Sequence, residues 1–142
     1  MNNTLIATAT TTINAPASKV WEALTTPELI KQYMFGADVI TDWKEGSPIT
    51  YKGTYQGKAY EDKGKVLKAE PEKNLLITHW SPLSGTSDSP ENYHKVSYEL
   101  AVKNDGTHLT ITQDNNANKE EQEQNAKFWQ TILDGIKKLL EG

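Results

Sequence analysis

Residues 118–140 read as one long amphipathic helix, and that stretch limits what the rest of the chain can fold into. At ~100° per residue, Phe128, Trp129, Ile132, Leu133, Ile136, Leu139 and Leu140 fall in one stripe. Both ends are marked. Asn118 and Glu121 have the spacing of an N-cap pair. Glu120, Glu121 and Glu123 lie at the positive end of the helix dipole, Lys137 and Lys138 at the negative end, and Glu123 and Lys127 are spaced as an ion pair. Farther toward the N-terminus the same face carries Asn118, Glu121, Gln122 and Asn125. The C-terminal half of the face therefore demands a dry core. The N-terminal half demands water, polar partners or a ligand.

The chain before this helix reads mainly as sheet. Residues 3–13, rich in Thr and β-branched side chains, predict a strand. Asn14-Ala15-Pro16 and then Thr26-Pro27 each start a short helix, the first capped by Asn14 or Ala15 and burying Val20, Trp21 and Leu24. The second buries Leu29, Ile30 and Tyr33 or Met34. Strands follow over 37–43, 49–56, 59–69, 74–80, 92–102 and 107–114. Gly57 and Asn104-Asp105-Gly106 mark tight hairpins. In 92–102, Val96, Tyr98, Leu100 and Val102 alternate inward. Residues 81–91, small, polar and proline-punctuated, form the only long loop and are expected to be mobile. Consecutive strands on short turns make an antiparallel sheet, and one amphipathic helix must cover its apolar face. The expected fold is α+β: a six- to seven-stranded antiparallel sheet wrapped round the long C-terminal helix, with two short helices after the first strand. Two layers of that shape rarely fill completely, so a cavity between helix and sheet is expected, with the two short helices at one end.

With 142 residues and no repeat or linker, one domain covering 1–142 is expected. The net charge of −4, with its basic residues scattered, disfavours nucleic-acid binding. No cysteine is present, which removes thiolate chemistry, disulfides and zinc–sulfur sites. Residues 1–12 lack a basic start and an apolar run, and no segment approaches membrane-spanning length, so a cytoplasmic setting without membrane contact is expected.

The order of elements resembles the START-like helix-grip superfamily. More closely, the chain is similar to the family named for the C-terminal domain of the activator of the heat-shock-protein-90 ATPase. The residues that carry the likeness run from Ile13-Asn14-Ala15-Pro16 through Val20-Trp21-Glu22-Ala23-Leu24 to Thr26-Pro27-Glu28. With them go Pro71 ahead of Leu75-Leu76-Ile77-Thr78-His79-Trp80, Gly106-Thr107 ahead of Leu109-Thr110-Ile111, and Phe128-Trp129 leading into Leu133. The resemblance implies the helix-grip fold. It leaves function open, since binding, transport and catalysis share that scaffold.

The candidate site residues follow from the expected cavity. Trp21, Tyr33, Trp43, Tyr51, Tyr55, Trp80, Tyr98 and Phe128 either pack the core or turn polar tips and ring faces into a cavity, with Tyr51, Tyr55 and Tyr98 on the favoured faces. Met34 and Ile132 supply apolar wall. His79, at a strand end beside Trp80 and the long loop, is a pocket base or an ordinary strand-end histidine. Glu121 and Asn125 are a polar cavity wall, or else a helix start that meets only water, with Glu121 capping. Asp62 can face either side of its strand. No two histidines have metal-ligand spacing, and neither a metal, a cofactor nor a catalytic set is expected. The expected function is binding of a small hydrophobic or amphipathic ligand by a monomer or homodimer. The alternatives are a cyclase- or hydrolase-like enzyme using His79 or Glu121 as base, and a co-chaperone-like module with a protein partner.

Overall fold

A computed structural model of the chain describes residues 5–55, 57–104 and 106–141, with the Tyr55 side chain outside that description. Seven strands are described: β1 (Ala7–Ile13), β2 (Asp38–Ile40), β3 (Pro48–Tyr55), β4 (Lys58–Glu70), β5 (Asn74–His79), β6 (His94–Lys103) and β7 (Gly106–Gln113). They form one open antiparallel sheet in the order β1-β7-β6-β5-β4-β3-β2. Two short helices, α1 (Ala17–Thr25) and α2 (Pro27–Tyr33), follow β1, and the long helix α3 (Lys119–Glu141) ends the chain. The architecture is the α+β helix-grip fold expected from the order of elements.

Local chemistry explains the boundaries. Glu121 N–H donates to Asn118 Oδ1 at 2.8 Å, and the Glu121 carboxylate accepts from the Ala117 N–H, so α3 begins where its capping residues require. Pro27 opens α2 behind Thr26. In α1 the cap differs from expectation: Pro16 holds the N-cap position in extended geometry, with no side-chain bond. Gly57 takes φ +79° between β3 and β4, and the turn pairs Tyr51 with Asp62 and Gly53 with Tyr60.

The core is thickest under the C-terminal half of α3. β1 runs beside the helix from Ile6, whose carbonyl accepts from Gln122, to Thr12, whose carbonyl accepts from Lys137, and its inner face buries Ala7, Ala9 and, at the C-terminal half, Ile13. Ile132, Leu133 and Ile136 are fully buried there, against Val20, Leu109 and Ile111 of the same cluster. The polar start of the stripe is also answered by protein. Gln122 Nε2 donates to Ile6 O at 2.8 Å and Asn125 Nδ2 to Asn116 Oδ1 at 2.7 Å. Asn116 is itself fully buried and donates to Leu5 O and Gln113 O. Among strands, α3 approaches β1 and β7 and stands off from the middle of the sheet.

Four local expectations are corrected. The strand expected over 37–43 is only Asp38–Ile40, because Trp43 turns to φ +63°. Val102 is 77% exposed, since the end of β6 overhangs the core. Glu123 and Lys127 form no ion pair among the described residues, whereas Lys137 and Glu141, one turn apart, do at 2.7 Å. Residues 81–91 contain two 3-10 turns, Pro82–Ser84 and Pro90–Asn92, and are tied down by polar groups. Trp80 Nε1 donates to Thr86 Oγ1 at 3.0 Å and Tyr93 Oη to Asp88 at 2.6 Å, and Lys63 pairs with Asp88.

Candidate functional site

Where α3 stands off from the sheet, a cavity of about 680 Å³ opens. Its walls come from Tyr51 and Thr54 of β3, Tyr60 and Asp62 of β4, Ile77 and His79 of β5, Val96 and Tyr98 of β6, and Gln113 of β7. Asn125, Phe128 and Trp129 close it from α3, Met34, Phe35 and Ala37 from the end of α2, and Leu83 from the long loop. A volume of this size falls within the roughly 300–1,000 Å³ typical of small-molecule sites. Next to it lies a pinhole of about 10 Å³ bounded by Tyr33, Met34, Trp43, Tyr51 and Tyr98 among others. That is about the space of one water.

The rim is apolar and exposed. Phe35, Leu83 and Phe128 are 67%, 48% and 41% exposed, and the Phe35 and Phe128 rings lie 6.2 Å apart. Phe35 takes φ +57°, a left-handed conformation that costs a bulky residue about 1–2 kcal/mol. Gly36 follows at φ +82°, and this pair of residues turns the chain out of α2 at the cavity's edge.

One polar pair sits in the wall. His79 Nε2 and Asp62 Oδ2 are 2.9 Å apart, with side chains 30% and 14% exposed. Backbone geometry sets the distance. Lys63 and Trp80 exchange both main-chain hydrogen bonds, at 3.0 and 2.8 Å, so Asp62 and His79 become diagonal neighbours on the inner face. The strands close up at Gly64, where an added Cβ would lie 1.8 Å from Thr78 O, so only glycine is admitted. Gly53 makes the matching room on β3: a Cβ there would meet the Tyr60 hydroxyl at 2.6 Å. The Tyr51 ring stands edge-on to His79 at 5.7 Å, and Tyr98 is edge-on to Trp129 at 6.0 Å. Burial, reinforced by neighbouring tyrosines and Asp62, pushes the Tyr51 phenol well above its ordinary value, and burial does the same to Tyr98. Both hydroxyls therefore stay protonated at neutral pH. Among the described residues no group of three or more His, Asp or Glu side chains converges as a metal site would require.

The model of the family described as Activator of Hsp90 ATPase homolog 1-like protein matches residues 14–141. The chain belongs to this family. It is 51% identical to ChR145 from Cytophaga hutchinsonii, whose solution structure superimposes with a TM-score of 0.86 over 99% of this chain and 97% of that one. Two more distant structures share the fold. The Aha1 dimer from Colwellia psychrerythraea is 23% identical, with a TM-score of 0.75 over 96% of each chain. DynU16, from the dynemicin biosynthetic locus, is 20% identical with a TM-score of 0.79, over 96% of this chain and 47% of that one. No curated protein matches the chain.

Within this family fold, the residues singled out in the sequence separate into groups. Met34, Tyr51, His79, Tyr98, Asn125 and Phe128 line the large cavity. Tyr33 and Trp43 border only the pinhole, and Tyr33 Oη donates to Ala23 O at 2.9 Å. Trp21, Trp80, Glu121 and Ile132 are not among the lining residues. Trp21 packs beside the core and Ile132 within it. Trp80 stacks on Tyr93 at 6.3 Å outside the cavity, with the Lys63 ammonium over its ring. Glu121 is occupied in capping α3. The Tyr55 side chain lies outside the described residues. Tyr60, Asp62, Phe35 and Gln113 join the wall without having been chosen. Asp62 was within reach: counting outward from the Gly57 turn pairs it with Tyr51 and puts both on one face.

Proposed function

We propose that the chain works as a single cytoplasmic domain that binds a small hydrophobic or amphipathic molecule between the N-terminal half of α3 and strands β3–β6. The observation that carries this reading is the cavity of about 680 Å³ with mainly aromatic and aliphatic walls and one polar pair. Apolar walls supply affinity by burying ligand surface, and a few placed polar groups supply orientation. Met34, Tyr51, Tyr98 and Phe128 are the apolar contacts of this proposal, and His79 and Asn125 its polar ones. Phe35, Phe128 and Leu83 frame the entrance, so the α2 end and the 81–91 loop control entry. No described helix is long and apolar enough to cross a membrane.

Native mass spectrometry of protein purified from its own cells tests the proposal. A discrete extra mass, released on denaturation and extractable, is the expected result. A clean unliganded mass, together with no rise in melting temperature across lipid-like and aromatic compounds, overturns it. A homodimer through the exposed rim is a second reading, favoured by the exposure of Phe35 and by the dimeric Colwellia relative. It predicts that Phe35→Asp halves the mass seen by light scattering, and an unchanged monomer mass refutes it.

A further inference from the structure

Within the Asp62–His79 pair of the cavity wall, the atoms left without a protein partner are acceptors. An ionised carboxylate can only accept, so the 2.9 Å contact between Asp62 Oδ2 and His79 Nε2 requires the proton on Nε2. In the neutral ring this leaves Nδ1 as a bare acceptor, and among the described residues nothing donates to it. Asp62 Oδ1 is also without a donor, although it is buried. The penalty of about 1–3 kcal/mol for a buried acceptor left unmade falls on Asp62 Oδ1 among the described residues. The neighbouring groups do not supply a positive charge. Among the described residues no lysine or arginine lines the cavity. Lys63, next to Asp62 in sequence, is engaged by Asp88 and the Trp80 ring. The Tyr51 phenol stays neutral beside Asp62.

We propose that the Asp62–His79 pair selects ligands carrying a neutral hydrogen-bond donor, an alcohol or phenol on an apolar body, over ligands carrying a carboxylate. This rests on the binding function proposed above and names the ligand class. The donor goes to His79 Nδ1, whose tautomer Asp62 holds. A carboxylate brought to the same corner meets a second carboxylate in a poorly solvated wall, with no cation to offset it. The hydroxyls of Tyr51 and Tyr98 donate or accept equally well and do not discriminate.

Fluorescence titration with 1-pyrenemethanol, pyrene and 1-pyrenecarboxylate tests this. In the wild-type protein the alcohol is expected to bind about tenfold tighter than the carboxylate, with pyrene between, one hydrogen bond being worth up to about that factor. His79→Phe, which keeps a ring in place, is expected to bring the alcohol down to the level of pyrene. Asp62→Asn is expected to raise the affinity for the carboxylate. Binding of all three probes alike, or a preference for the carboxylate, overturns the selectivity and leaves the binding cavity standing. Binding of none overturns both. The wild-type comparison decides the matter even if a variant fails to fold.

Discussion

Along α3, the turns around Ile132 and Ile136 and the turns around Asn125 and Phe128 belong to one helix over one sheet, yet only the first are packed against it. Ile132, Leu133 and Ile136 are completely buried, whereas Phe128 is 41% exposed at a cavity rim. The cause lies in what faces each half. Beneath the packed half lies the end of β1, where Lys137 Nζ donates to Thr12 O and Ile13 joins the core cluster of Ile132, Leu133 and Ile136. Beneath the open half, β3, β4 and β5 raise Tyr51, Tyr60, Asp62 and His79, and the helix is held by polar contacts to Asn116 and Ile6 O. Dry packing is therefore concentrated at one end and the cavity at the other, and substitutions can separate the two.

The sharpest way to break this division is to hollow out the dry half. Ile132→Ala is expected to cost about 2–5 kcal/mol in urea unfolding, because the site cannot collapse around the lost atoms. A loss below about 1 kcal/mol would mean that the dry half is not the anchor.

Alkali attacks the boundary between the halves. Tyr33, Tyr51 and Tyr98 meet at the pinhole, and burial raises all three phenols above the ordinary value of 10.0. The folded state then holds these protons more tightly than the unfolded state. Their contribution is complete below pH 10.0 and falls as pH rises past it. Phenolate absorbance is expected to show these three tyrosines titrating together with unfolding. Independent titration in the folded protein near pH 10.0 would place them in water.

Asn116→Ala tests whether the polar half is built or merely wet. Three hydrogen bonds depend on this fully buried side chain, and an expected loss of about 1–3 kcal/mol follows from stranding their partners. A neutral effect would mean that water replaces it freely. The smallest stability effect, below about 1 kcal/mol, is expected for half-exposed Phe128→Ala, and the same variant should weaken capture of an apolar probe. Equal losses at Phe128 and Ile132 would erase the distinction.

What could be read from the sequence follows the same division. The helix expected over 118–140 is Lys119–Glu141, because periodicity, cap and dipole residues all agree on it. The hairpins β3–β4, β4–β5 and β6–β7 follow from short turns, whereas the pairing of β1 with β7 joins distant segments. Even the change of character along the stripe is visible, since it is a property of one helix. The wall was less legible because it depends on strands meeting. His79 and Asp62 are 17 residues apart and come together only through the Lys63–Trp80 pairing and the close approach at Gly64. Trp21, Trp43 and Trp80 carry the same composition signal as Tyr51 and Tyr98, and only the face each occupies distinguishes them. Glu121 carried both readings, and its capping bond chose one.

The most direct test is an amide chemical-shift titration with 1-pyrenemethanol. The expected result is shifts at Tyr51, Asp62, His79, Tyr98 and Asn125 to Trp129, with Ile132 to Leu140 unmoved. Shifts concentrated in Ile132 to Leu140 or on the outer face of the sheet, or none at saturating probe, would contradict it.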